Sequence, residues 1–178
     1  MHVKSFATKT PEIKARVFIH ETAVVIGDVS LADDVSIWPM SVVRGDIHRI
    51  EIGARSNIQD GSVLHVTHAS DFNPNGFPLT IGEDVVVGHK VTLHGCTVSN
   101  QCLIGMGAIV MDGAIINDRV IVGAGSLVPP GEELESGYLY VGSPVKKTRP
   151  INEQEASFLN YSPKRYVKLK DEYLADLA

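Results

Sequence analysis

Cysteine is nearly absent from this 178-residue chain, which holds only Cys96 and Cys102. Two thiols do not make the disulfide framework of a small secreted domain, and both fall within a repeat, where buried structural thiols are the expectation. Any block of like charge is also missing. The formal net charge is −5 and the charged residues are dispersed, which argues against a nucleic-acid partner or an anionic membrane surface. No apolar stretch approaches the length of a membrane span. The segment from Met1 to Lys14 lacks the apolar run of a secretory signal. These absences point to a cytoplasmic protein, and the length suits one domain with a terminal appendage.

What the chain has instead is a period of six. Aliphatic residues recur at Ile13, Ile19, Val25, Leu31, Ile37 and Val43, resume at Ile52, Ile58 and Leu64, then at Ile81, Val87 and Leu93, and then from Val98 through Ile104, Val110, Ile116 and Val122 to Val128. A small or polar residue usually follows each one, as in Ile52-Gly53 and Val87-Gly88. Helices require three- and four-residue spacing and half-buried strands require alternation, so neither explains the pattern. A coil of short strands joined by turns, each coil stacked on the one below, does. The expected fold is an all-β solenoid over residues 1–130, followed over 131–178 by a connecting segment and a helical region packed on the solenoid. Pro129, Pro130 and Gly131 mark the expected end of the repeat. Asn152 and Glu155 have capping-box spacing, Pro163 is expected to break or restart the helix, and Tyr166, Leu169, Tyr173, Leu174 and Leu177 recur at helical spacing.

The grid slips in three places. Extra residues separate Val43 from Ile52, a longer excursion at about 69–79 separates Leu64 from Ile81, and one residue is missing between Leu93 and Val98. With these slips removed, Val43, Leu64 and Leu93 become successive members of one face. Arg44, His65 and His94 then form a column, and Asp60 lies beneath His89 on the adjacent face. Coils about 4.8 Å apart place two imidazoles of one column within reach of a single ion. His89 is nearly a side of the coil away, so it joins that ion only from a neighbouring prism, and three prisms about a threefold axis make three equivalent sites. Three neutral imidazoles with an open position form a catalytic rather than a structural zinc arrangement, which activates water as a nucleophile. His2, His20 and His48 have no such register, whereas His68 stands at the start of the long loop beside the site.

Arg44-Gly45-Asp46, Asn57, Gln59-Asp60, His65, His89 and His94 together resemble the signature of the γ-class carbonic anhydrases, over roughly residues 10–178. The resemblance implies a left-handed β-helix with three hexapeptides per coil. It also implies a homotrimer with metal ions at the subunit interfaces, zinc by default and iron or cobalt as variants, and reversible hydration of CO2 to bicarbonate. His65 and His94 come from one chain and His89 from its neighbour. Gln59 orients the nucleophile, Asp60 pairs with Arg44, and Asp46 pairs with an arginine across the interface. A tyrosine, here Tyr161, reaches the site from the C-terminal region.

Two departures stand out. Ile47 replaces the glutamate that follows Arg-Gly-Asp in active members. The loop from His68 to Pro78, which carries a proton-shuttling glutamate in those members, has Asp71 as its only carboxylate. Two alternatives therefore stay open. One is a metal-binding trimer without hydratase activity. The other is a coenzyme A-dependent hexapeptide acyltransferase, for which Gly142-Ser143-Pro144 followed by Lys146 and Lys147 is the cue and a single histidine is the general base.

Overall fold

Strands of two or three residues form where the six-residue grid places an aliphatic side chain, and tight turns separate them. The computed structural model describes residues 2–176, and in it these strands build the left-handed parallel β-helix expected from the repeat. One wall stacks Phe18–Ile19, Ser36–Ile37, Asn57–Ile58, Val86–Val87, Leu103–Ile104, Ile121–Val122 and Tyr138–Gly142 in parallel. A second wall stacks Val63–His65, Thr92–His94, Ile109–Val110 and Leu127–Val128 beneath the first halves of Val24–Leu31 and Val42–Ile52. The second halves of those two long strands turn a corner and begin the third wall, which continues through Leu79–Ile81, Thr97–Val98, Ile115–Ile116 and Glu133–Leu134.

The grid residues fill the interior. Val25, Leu31, Ile37, Val43, Ile58, Leu64, Leu93, Ile104 and Val122 are fully buried and belong to one apolar cluster running the length of the prism. Ile13, near the open end of the stack, is exposed because no further coil covers it. Cys96 and Cys102 are free and buried, and burial pushes each thiol up to about 12, so both are inert as nucleophiles.

The slips fall where the grid placed them. Gly27 pairs with Gly45, yet Val29 pairs with Ile50, so the surplus residues bulge from one corner. The long excursion is closed at its base by a bridge between Thr67 and Phe77. Because the insertions leave at corners, His94 still pairs with His65, Leu93 with Leu64 and Val87 with Ile58.

Three expectations for the C-terminal part need correction. The coil does not end at Val128. Pro129-Pro130-Gly131 makes only a corner, Glu133–Leu134 and Tyr138–Gly142 add further rungs, and Val145–Pro150 then folds back antiparallel. Pro163 does not break the helix, which runs unbroken from Glu153 to Asp176. An interior proline costs about 3 kcal/mol, but Leu159, Ser162 and Pro163 are all buried against the prism, and that packing offsets the lost hydrogen bond. The buried face also differs from the expected stripe. Leu169 and Leu174 are half-buried, Tyr166 and Tyr173 pack on Trp38, and Leu177 lies outside the described residues. The surprise is Lys170, fully buried, with its Nζ 2.9 Å from Asp34 Oδ1 and also on Asp171. No helix among the described residues is long and apolar enough to cross a membrane.

The capping box is present as expected. Asn152 N donates to Glu155 Oε2 at 2.8 Å, and Glu155 N donates back to Asn152 Oδ1 at 2.8 Å. Arg149 holds the same carboxylate through both guanidinium nitrogens. These contacts, the Arg149 hydrogen bond first, lower the Glu155 pKa from 4.5 to about 2. A carboxylate with a depressed folded pKa stabilises the fold above its unfolded pKa and loses that contribution as pH falls. Denaturation of wild type and Glu155→Gln across the acid range is therefore expected to give stability curves that converge between pH 4.5 and 2. Curves that remain parallel would show that the cap contributes through geometry alone.

Candidate metal centre

Two imidazoles meet on the second wall because its coils stack in register. His65 Nδ1 and His94 Nε2 face each other at 3.1 Å. The far nitrogen of each ring is held by a carboxylate, His65 Nε2 at 3.0 Å from Asp46 Oδ1 and His94 Nδ1 at 2.8 Å from Asp112 Oδ1. A carboxylate accepts a hydrogen bond from the nitrogen it faces and so holds the ring proton there, which in the neutral rings leaves the two inward nitrogens with lone pairs. Lone pairs at this separation repel unless a cation lies between them. Two nitrogens on one tetrahedral zinc, each about 2.0–2.1 Å from the ion, stand about 3.3 Å apart. The donor pair therefore fits such an ion in separation, chemistry and tautomer.

His89 lies on the adjacent wall, its Nδ1 3.0 Å from Asp60 Oδ2. This repeats the pattern of an imidazole oriented by a carboxylate and leaves Nε2 as the lone-pair nitrogen of the neutral ring. Among the described residues of the single chain, no three His, Cys, Asp or Glu side chains converge on one point. That agrees with the separation of His89 from the other two imidazoles in the grid arithmetic.

Asn57 and Gln59 flank His89 on its own wall. Both are buried, and Gln59 Nε2 donates to Asn57 Oδ1 at 3.1 Å. The bond leaves Gln59 Oε1 as a spare acceptor, and Asn57 Nδ2 is buried with no partner. A buried donor left unpaired costs about 1–3 kcal/mol, so its retention marks a position kept for a polar contact. Arg44 Nη1 lies 2.6 Å from Asp46 Oδ2, so within one chain Arg44 is engaged by Asp46, and Asp60 by His89. Burial raises the Asp46 pKa, but hydrogen bonds from Arg44 and His65 outweigh it and hold the carboxyl below the usual range. Burial lowers the His65 pKa, and the Arg44 charge adds to the effect against the opposing Asp46 hydrogen bond. The result favours the neutral, ligating imidazole.

Tyr161 stands away from the histidines, largely exposed beside Phe158, Leu103 and Ile121. The tyrosine that shares a cavity with His89 and Gln59 is Tyr166, one helical turn further on. This cavity, about 420 Å³, is mostly apolar, with Val86, Leu103, Ile121 and Phe158 among its walls. Burial, helped by the nearby Asp60, raises the Tyr166 pKa, so its hydroxyl stays protonated. The sequence reading missed Tyr166 because it shares its helical spacing with packing residues. It also missed Asp112, one coil beyond His94, although the grid that aligned the histidines was able to find it. Ile47 and His68 are exposed.

A model of the bacterial transferase hexapeptide (six repeats) family matches residues 95–130. Protein YrdA of Escherichia coli is 65% identical, covering 92% of this chain and 89% of its own. A probable carbonic anhydrase of Methanocaldococcus jannaschii is 40% identical, covering 89% of this chain and 96% of its own. This chain belongs to the γ-class carbonic anhydrase family. A Bacillus cereus structure described as a putative acetyltransferase, at 35% identity, superimposes with a TM-score of 0.90 over 97% of this chain and 96% of its own.

In the metal-free protein, the His65 ring is expected to titrate below 6.5 when its ring protons are followed by NMR. A histidine with a depressed folded pKa makes stability fall as pH drops from 6.5 towards that pKa, since the unfolded chain then binds the extra proton. Titration of His65 at or above 6.5 would contradict the neutral-imidazole reading.

Proposed function

We propose that this protein is a metal-dependent γ-type carbonic anhydrase that hydrates CO2 reversibly to bicarbonate, working as a homotrimer with its sites between subunits. The observation that carries this reading is the inward pair, His65 Nδ1 and His94 Nε2 at 3.1 Å, each ring anchored from behind by a carboxylate. His65 and His94 of one chain and His89 of the next would hold the ion. Zinc suits the all-imidazole set best, and ferrous iron or cobalt also suit it. When bound, the ion supplies a Lewis acid that brings the pKa of a coordinated water to near 7.

The remaining work falls to the chain. Asp46, Asp60 and Asp112 fix the tautomer and plane of the three rings, so each presents one lone pair. The Gln59 amide is already held by Asn57 through its nitrogen, which leaves its Oε1 to accept a hydrogen bond from the nucleophile and set its orientation. The mostly apolar cavity beside His89 suits an uncharged, weakly polar substrate such as CO2, and the protonated Tyr166 hydroxyl supplies a donor for an oxygen that gains charge. Hydration leaves a proton to export. With Ile47 in place of a carboxylate, the exposed His68, next in sequence to Thr67, is a relay group the loop offers.

The second reading, coenzyme A-dependent acyl transfer, keeps the support of the Bacillus cereus structure described as a putative acetyltransferase, at 35% identity. Lys147, one of its cues, pairs with Glu135, and its ammonium lies 3.6 Å above the Tyr138 ring. Acyl transfer gives no role to three carboxylate-anchored imidazoles.

Metal analysis and stopped-flow CO2 hydration test the reading. About one metal per chain and hydration that disappears in His89→Ala are expected. Mixed trimers of His89→Ala and His94→Ala are expected to regain part of the activity, because a site built from His65 and His94 of one variant and His89 of the other is complete. Metal without hydration would reduce the protein to a metal-binding trimer, and no metal after reconstitution would remove the centre altogether. A poor relay further predicts that hydration at fixed pH accelerates with imidazole buffer concentration. A rate indifferent to buffer would place the limit elsewhere.

A further inference from the structure

The proposed function assigns Asp112 only the general task of facing a ring, yet its surroundings are more specific. Its carboxylate sits 2.8 Å from His94 Nδ1, and both of its oxygens lie 3.1 Å from Thr67 Oγ1. Thr67 is the first closing residue of the long insertion. Its backbone exchanges two hydrogen bonds with Phe77, Thr67 N to Phe77 O at 3.0 Å and Phe77 N to Thr67 O at 2.8 Å. The insertion is therefore pinned shut at the residue that holds the carboxylate.

Two glycines make room for this arrangement. Gly95 follows His94 and Gly113 follows Asp112, and both have left-handed backbones, with φ of +54° and +71°. A Cβ on Gly95 would fall 2.2 Å from Asp112 Oδ1 and 2.6 Å from Phe77 Cβ. A Cβ on Gly113 would fall 2.9 Å from the Phe77 ring. Any side chain at Gly95 would displace either the carboxylate or the loop anchor, so the backbone there suits close approach of both.

We infer that Asp112 is a positioning residue for His94, held by Thr67 and the Phe77-anchored base of the insertion, so that the loop and the metal site form one mechanical unit. The carboxylate accepts a hydrogen bond from His94 Nδ1–H, which keeps the proton on that nitrogen and commits Nε2, as a lone pair, to the point shared with His65 Nδ1. The Thr67 hydroxyl restrains the carboxylate in turn. The insertion thus bears on metal affinity from its base, whatever its tip does for substrate. This inference rests on His65 and His94 being ligands.

Cobalt(II) titration of the metal-free, full-length protein against a competing chelator, read by the visible absorption band of the bound ion, tests it. Asp112→Ala is expected to weaken binding by about 10- to 100-fold, in line with the loss of a hydrogen-bond partner behind a ligating histidine. Asp112→Asn, whose amide oxygen still accepts from Nδ1, is expected to recover part of that loss. Thr67→Val, which keeps the carboxylate and removes its donor, is expected to weaken binding less than Asp112→Ala and to shift the absorption band. Thermal melts of the metal-free variants report whether the fold survives, and Thr67→Val decides the matter if Asp112→Ala does not fold. Wild-type protein that binds no cobalt would remove the ligand reading itself. Wild-type binding with unchanged affinity and spectrum in Asp112→Ala or Thr67→Val would overturn the positioning role and leave the ligand reading intact.

Discussion

Everything in this molecule depends on the parallel hydrogen bonding of one coil to the next. Each coil donates backbone N–H groups to the carbonyls of its neighbour, as from Trp38 to Ile58, Gln59 to Val87 and Gly88 to Ile104. The register cannot drift, because a shift of one residue would turn every buried aliphatic side chain towards solvent. Extra residues are consequently expelled at corners, as at 46–49 and in the loop closed by Thr67 and Phe77. A rigid ladder of this kind turns separation in sequence into adjacency in space. It brings His65 to His94 and Asp60 to His89 without any dedicated supporting element.

That ladder also explains why the candidate centre is built from imidazoles backed by carboxylates. Residues pointing outward from neighbouring rungs are held a few ångströms apart, so a histidine and an aspartate on adjacent coils meet readily. The pairs His89–Asp60 and His94–Asp112 arise in this way, and the bulge carrying Asp46 brings a third carboxylate to His65. The electrostatics then divide the labour. Arg44 and His65 keep the Asp46 carboxyl ionised, and burial keeps the His65 ring neutral. Neutral imidazole donors backed by anionic supports are a good receiver for a divalent cation.

The positions where the resemblance leads one to expect further carboxylates lie at the surface of the chain. Ile47 is exposed, and the insertion places the exposed Asp71 and His68 where the resemblance leads one to expect acidic groups.

The sequence by itself determined the coil, the three slips in the grid and the column of Arg44, His65 and His94, because a period of six is a local property written in every rung. The capping box at Asn152 and Glu155 was legible for the same reason, since its partners lie three residues apart. Only the tertiary structure decided that the coil continues past Val128, that Pro163 lies inside a continuous helix, and that Lys170 is buried on Asp34. It also decided that Tyr166 rather than Tyr161 faces the cavity of His89, and that Asp112 stands behind His94. Each of these turns on contacts between distant segments, where packing against the prism overrides local propensity. Spacing places a residue on a face, but only the packed neighbours determine what that residue touches.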